Sequence, residues 1–134
     1  MDKAQQSYEQ EKQPHMLELA SSYIERLTGG IYTFDILGIN EGVALVNGNG
    51  ERLELKFWSS GLADQVYLAL RLALAKVFSY QVESLPIILD DILVRFDENR
   101  QRSALELLAE IGKNQQIWLF TCQHTVYDMA QSIT

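Results

Sequence analysis

The chain has 134 residues, 47% of them hydrophobic, and a formal net charge of -7. That is one domain or a piece of one, with enough apolar content for a packed core. It is too acidic to grip nucleic acid by a basic surface of its own. Its single cysteine, Cys122, excludes an intrachain disulfide and suits a reducing cytoplasm. No signal peptide is legible at the amino end, and the longest apolar run is too short to span a bilayer.

Met1 to Gln13 is polar, with almost no large aliphatic groups. Pro14 suits a helix start and not a helix interior. Beyond it Met16, Ala20, Tyr23 and Leu27 recur at spacings of four, three and four, with Leu17 and Ile24 widening the stripe. The pattern predicts an amphipathic helix from Pro14 to Leu27, stopped by Gly29-Gly30. Two heptads fit either an ordinary helix laid on a sheet or the end of a coiled coil. From Ile31 the period becomes two. Ile31 to Leu37, Val43 to Val46, and Leu53, Leu55 and Phe57 alternating with polar neighbours read as strands of an antiparallel meander. Gly38 to Gly42 and Asn47-Gly48-Asn49-Gly50 supply the turns.

Trp58-Ser59-Ser60-Gly61-Leu62-Ala63-Asp64-Gln65 leads into Val66 to Phe78, apolar nearly all round apart from Arg71 and Lys76. This predicts a buried helix. The serines at its start suit an N-cap, and free amides with the helix dipole also suit an anion. Next, Pro86 opens the run Ile87-Ile88-Leu89, closed by Asp90-Asp91. That is a buried strand of a parallel sheet, whose carboxyl end is where open α/β sheets place ligands. Two carboxylates there suit Mg²⁺ and the orientation of a water; a helix or turn cap with a solvated neighbour fits equally. Phe96-Asp97-Glu98-Asn99-Arg100 reads as a turn with Asp97 capping a helix faced by Leu105, Leu108 and Ile111. Gln116 to Thr121 reads as another buried strand, ending at Cys122-Gln123-His124, with a short helix from Val126 to Ser132. Strand, helix, strand implies parallel pairing through a right-handed crossover.

Three marks now stand in order: Ser59-Ser60-Gly61 opening a helix, a strand ending Asp90-Asp91 with Asp97 beyond, and a strand ending Thr121-Cys122-Gln123-His124. Together they resemble the carboxyl-terminal half of an ABC-type ATPase head, most nearly the SMC-like DNA-repair ATPases of the SbcC and YhaN group. The resemblance runs from about Leu17 to the end. It implies an α/β fold, the C-terminal lobe of a P-loop NTPase head. Residues 1–28 would be a polar leader and the end of a coiled coil, and residues 29–134 the half-head.

The resemblance also implies roles. Ser59, Ser60 and Gly61, with Gln65 following, match the signature loop that binds the γ-phosphate of ATP held by the opposite head. Asp90 matches the Walker B carboxylate that holds Mg²⁺ through water. Asp91 stands where the family usually has its catalytic glutamate, and Asp97 matches the D-loop aspartate at the dimer interface. Gln123 occupies the aligned place of the switch histidine, with His124 one residue late. The sequence departs from the family at Trp58 for leucine, Ser60 for glycine and Asp91 for glutamate.

No Gly-x-x-x-x-Gly-Lys-Ser/Thr loop occurs in the chain. In the resembling family that loop lies in an amino-terminal half beyond a long coiled coil. The expectation is a half-head that needs that partner and a second head before it uses ATP and Mg²⁺. Its arms would act on DNA, with or without a nuclease partner, in the cytoplasm and away from membranes. The alternative is a non-catalytic scaffold that keeps the ATPase fold for protein contacts. A metal nuclease built of Asp90, Asp91 and Asp97 lacks further ligands in the sequence.

Overall fold

A long helix, α1 (Lys3–Leu27), lays its apolar stripe on the second helix, α2 (Ser60–Ser79), and on the first strand, β1 (Tyr32–Phe34). The computed structural model describes residues 3–35, 44–79 and 85–133, with side chains from residue 15 onward. Ala20, Tyr23, Ile24 and Leu27 of the stripe are buried, and Met16 packs at its margin. α1 ends as the glycine pair dictates. The Gly30 amide donates to the Glu25 carbonyl at 2.7 Å and the Gly29 amide to that of Arg26 at 3.3 Å. Gly29 sits at φ +69°, a left-handed conformation that costs an L side chain about 1–2 kcal/mol.

The start of α1 corrects the sequence expectation, because the helix runs through Pro14 and begins eleven residues earlier, at Lys3. One proline removes one ladder bond, while the Gln, Glu, Lys and Ala residues before it all favour helix. The polar leader is therefore the outer part of the same helix.

β1, β2 (Ala44–Asn47) and β3 (Arg52–Glu54) form the antiparallel meander in that order. The Asn47 side chain accepts from the Asn49 and Glu51 amides at 3.0 and 2.9 Å, and Gly50 takes φ +80°, so the Asn-Gly signal was a turn. The third strand is shorter than the alternation predicts. Leu55–Phe57 curl into a 3₁₀ turn that leaves Leu55 and Phe57 exposed. The Trp58 indole N–H holds that turn by donating to the Leu53 carbonyl at 3.0 Å. The predicted Gly38–Gly42 turn, and the predicted strand ends at Leu37 and Val43, lie outside the described residues.

The second sheet is a parallel pair, β4 (Ile87–Asp90) and β5 (Ile117–Phe120), joined through α3 (Glu98–Ile111). The last helix, α4 (His124–Ile133), packs on α3. Ile24, Leu27, Leu45, Leu72, Leu89, Leu107 and Val126 are the largest fully buried apolar side chains and form one core. Here the expectation of strands buried on both faces fails. Ile87 and Leu89 point into the core, but Ile88, Trp118 and Phe120 on the other face are 57, 51 and 52% exposed. α2 likewise leaves Tyr67, Leu74 and Phe78 uncovered. Runs composed for two covered faces have elements packed on only one.

Candidate functional site

The end of β4 carries the acid pair. Alternation along the strand puts Asp90 on the open face with Ile88, directly across from Phe120 in register. Asp91 follows in a left-handed conformation, φ +52°, that aspartate tolerates better than most residues. Its amide donates to the Phe120 carbonyl at 2.7 Å, extending the pairing by one residue. Its carboxylate Oδ2 accepts from the Cys122 thiol at 3.3 Å, while Oδ1 is buried with no hydrogen-bond partner. The hydrogen bond to Asp91, and then its negative charge, push the Cys122 thiol above its ordinary pKa. Cys122 is a site neighbour that the sequence analysis weighed only for disulfides; its position just past β5 was the available signal.

The expected switch residues lie alongside. Gln101 of α3, itself buried, donates from Nε2 to the Leu93 carbonyl at 3.1 Å and to Gln123 Oε1 at 3.4 Å. Gln123 is thereby tied to the turn that follows Asp91, and its amide donates to Thr121 Oγ1 at 3.1 Å. His124 is exposed and opens α4. Of the two candidates, Gln123 is the one hydrogen-bonded toward the β4 loop.

At the start of α2, Ser59 is a helix cap. Its Oγ accepts from the Leu62 amide at 3.1 Å and its carbonyl from the Ala63 amide at 2.9 Å. Ser60 is the first helical residue and is exposed. Gly61 is glycine for contact with its own fold, since a Cβ there would stand 3.1 Å from the Arg95 carbonyl oxygen. Asp97 caps α3 by accepting from the Arg100 amide at 2.8 Å. Gln65 is 7% exposed and its Oε1 has no partner. Ser59, Gly61, Gln65, Arg95, Asp97 and Arg100 border one cleft.

The 91–97 turn joins the two parts. Arg95 borders the cleft at the α2 start and also the hollow beneath Asp91, which Tyr67 and Arg71 share. Its guanidinium pairs with Asp64 at 3.6 Å. Asp91 and the serine–glycine loop therefore adjoin the same turn. Arg71 and Arg95, arginines inside apolar runs, and Arg100, in the polar start of α3, were given no site role from the sequence. Among the described residues no three His, Cys, Asp or Glu side chains converge. Asp90, Asp91 and Asp97 do not converge as a metal-binding trio, so a nuclease centre built on them has no geometric basis.

The donor set at β4 suits Mg²⁺: one exposed carboxylate and, beside it, a carboxylate oxygen left bare. Hard cations take one or two such oxygens together with waters and phosphates. No helix among the described residues is long and apolar enough to cross a membrane.

No family model matches the sequence. The chain is 34% identical over 122 residues to YhaN of Bacillus subtilis (strain 168), an uncharacterized protein, covering 89% of this chain and 12% of YhaN. It is similar in structure to the SMC head domain from Thermotoga maritima, with TM-score 0.67 and 22% identity over 87% of this chain and 40% of that one. A second solved structure comes from work on ATP-driven dimerization and DNA-stimulated activation of SMC ATPases. It matches with TM-score 0.68 and 16% identity over 87% of this chain and 73% of that chain. The chain thus spans about an eighth of the curated relative it matches. It has the fold of part of an SMC-type ATPase head, and it is similar in sequence to a portion of YhaN.

Proposed function

We propose that this chain is half of a nucleotide-driven dimerisation switch, active when an amino-terminal half supplies the phosphate loop and a second head closes on it. The observation that carries this is the shared turn. Residues of the 91–97 turn border both the hollow that Asp91 lines and the cleft that Ser59 and Gly61 line. One turn of a single head can then serve both its own nucleotide and that of its partner. The open face bearing Ile88, Trp118 and Phe120 supports a missing half that covers it.

When bound, Mg²⁺·ATP supplies the electrophilic terminal phosphate and a cation that offsets its charge. Asp90 would hold the cation, and Asp91 would orient the attacking water and accept its proton. Gln123, tied to the Asp91 turn through Gln101, would fix the far side of that water, with His124 as the other candidate. The Ser60 hydroxyl and the first free amides of α2 would meet the partner's terminal phosphate. Gln65 and Asp97 would line the same interface. Residues 1–28 would be the end of the returning coiled coil, and residues 29–134 the half-head. Action on DNA in repair, with or without a nuclease partner, and a cytoplasmic setting belong to the same proposal.

The alternative, a non-catalytic scaffold, draws on the aspartate at position 91, on Gln123, and on Ser59 and Asp97 serving as caps. Titrating Mg²⁺·ATP into the head completed with its amino-terminal half separates the two. Saturable binding that Asp90→Asn weakens supports the ATPase; no binding by the wild-type head leaves the scaffold.

A further inference from the structure

Asp91 is held from β5 at two points. Its amide donates to the Phe120 carbonyl, and its Oδ2 accepts from the thiol of Cys122, two residues further along. A carboxylate on a short side chain and a strained backbone, φ +52°, has two equivalent oxygens and a freely turning terminal torsion. The thiol removes that equivalence. Oδ2 is occupied, and Oδ1 is left buried and without a partner. Thiols are weak donors, but a carboxylate acceptor strengthens the bond.

We infer that Cys122 is the positioning residue of Asp91: its S–H, bonded to Oδ2, fixes the plane of the carboxylate that would orient the water, with Oδ1 turned inward. The orientation half of this rests on the ATPase role proposed above; the contact itself does not. It also bears on why aspartate stands where glutamate is usual. A side chain one methylene shorter reaches less far, and a fixed plane limits the directions in which it must reach.

Two measurements test it. Cys122 is the only cysteine in the chain, so the infrared S–H stretching band has one source and needs no nucleotide. The band of the wild-type chain is expected at lower frequency than that of Asp91→Gly, which removes the acceptor and suits the left-handed backbone. Coincident bands overturn the contact. In the completed head, Cys122→Val, similar in size and without a donor, is expected to lower kcat on the order of tenfold with KM for ATP unchanged. Cys122→Ser, which keeps a donor, is expected to restore most of it. Equal kcat for wild type and Cys122→Val overturns the positioning role. A wild-type head with no turnover overturns the ATPase assignment and the positioning role with it, while the infrared comparison still decides the contact.

Discussion

Removing one tryptophan tests whether the open sheet face is an interface. Trp118 is 51% exposed and stacks on Phe120, ring centroids 6.4 Å apart at 15°. A tryptophan buries about 200 Å² when wholly covered, so roughly 100 Å² remains for an incoming partner. At about 25 cal/mol per Å² that is about 2.5 kcal/mol, or roughly 60-fold in a dissociation constant at about 1.4 kcal/mol per tenfold. The perturbation is Trp118→Ala. The assay is calorimetric titration of the amino-terminal half into this chain, using variant protein whose circular dichroism matches the wild type. The expected result is a dissociation constant raised roughly 60-fold, as worked above. An affinity within twofold of wild type would show that the β4–β5 face is not where the missing half sits.

Four further substitutions probe the site from within. Gly61→Ala places a Cβ 3.1 Å from the Arg95 carbonyl; pushing the 91–97 turn off α2 is expected to cost about 1–3 kcal/mol in urea unfolding. An unchanged midpoint would mean the turn yields freely. Ser59→Ala removes the cap bond to Leu62 and is expected to cost about 1 kcal/mol. Ser60→Ala, with its side chain exposed, should leave the midpoint alone and weaken only nucleotide-dependent dimerisation of the completed head. The raised pKa of Cys122 means less thiolate at any given pH, so its alkylation is expected to be slower than that of an unperturbed thiol. Removing the neighbouring charge in Asp91→Gly lowers that pKa, and the alkylation rate at pH 8 is expected to rise; an equal or slower rate would contradict the cause assigned to the shift.

Much of the framework was legible because its signals are local. The glycine pair after Leu27, Asn47 to Gly50, and Asp97 before Glu98 are turns and caps written in a few residues each, and each formed as read. Pro14 misled because it removes a single ladder bond, against nine helix-favouring Gln, Glu, Lys and Ala residues before it. Leu55 and Phe57 misled because alternation continues past the point where Trp58 ties the chain back to Leu53. The burial expected of Ile88, Trp118 and Phe120 from their apolar character is not found, because an apolar run does not say which element would cover it. Cys122, Arg95 and Gln101 were out of reach for another reason. Their parts depend on which loops meet, and that is settled by the register of β4 against β5 and by the packing of α3 across them.

The central claim is that the acid pair at the end of β4 works on nucleotide once the other half is present. Steady-state ATP turnover of the completed, dimerising head, wild type against Asp91→Asn, measures this directly. Turnover in the wild type that falls at least on the order of a hundredfold in the variant, with Mg²⁺·ATP binding retained, is the predicted result. Equal turnover in the two proteins would contradict it.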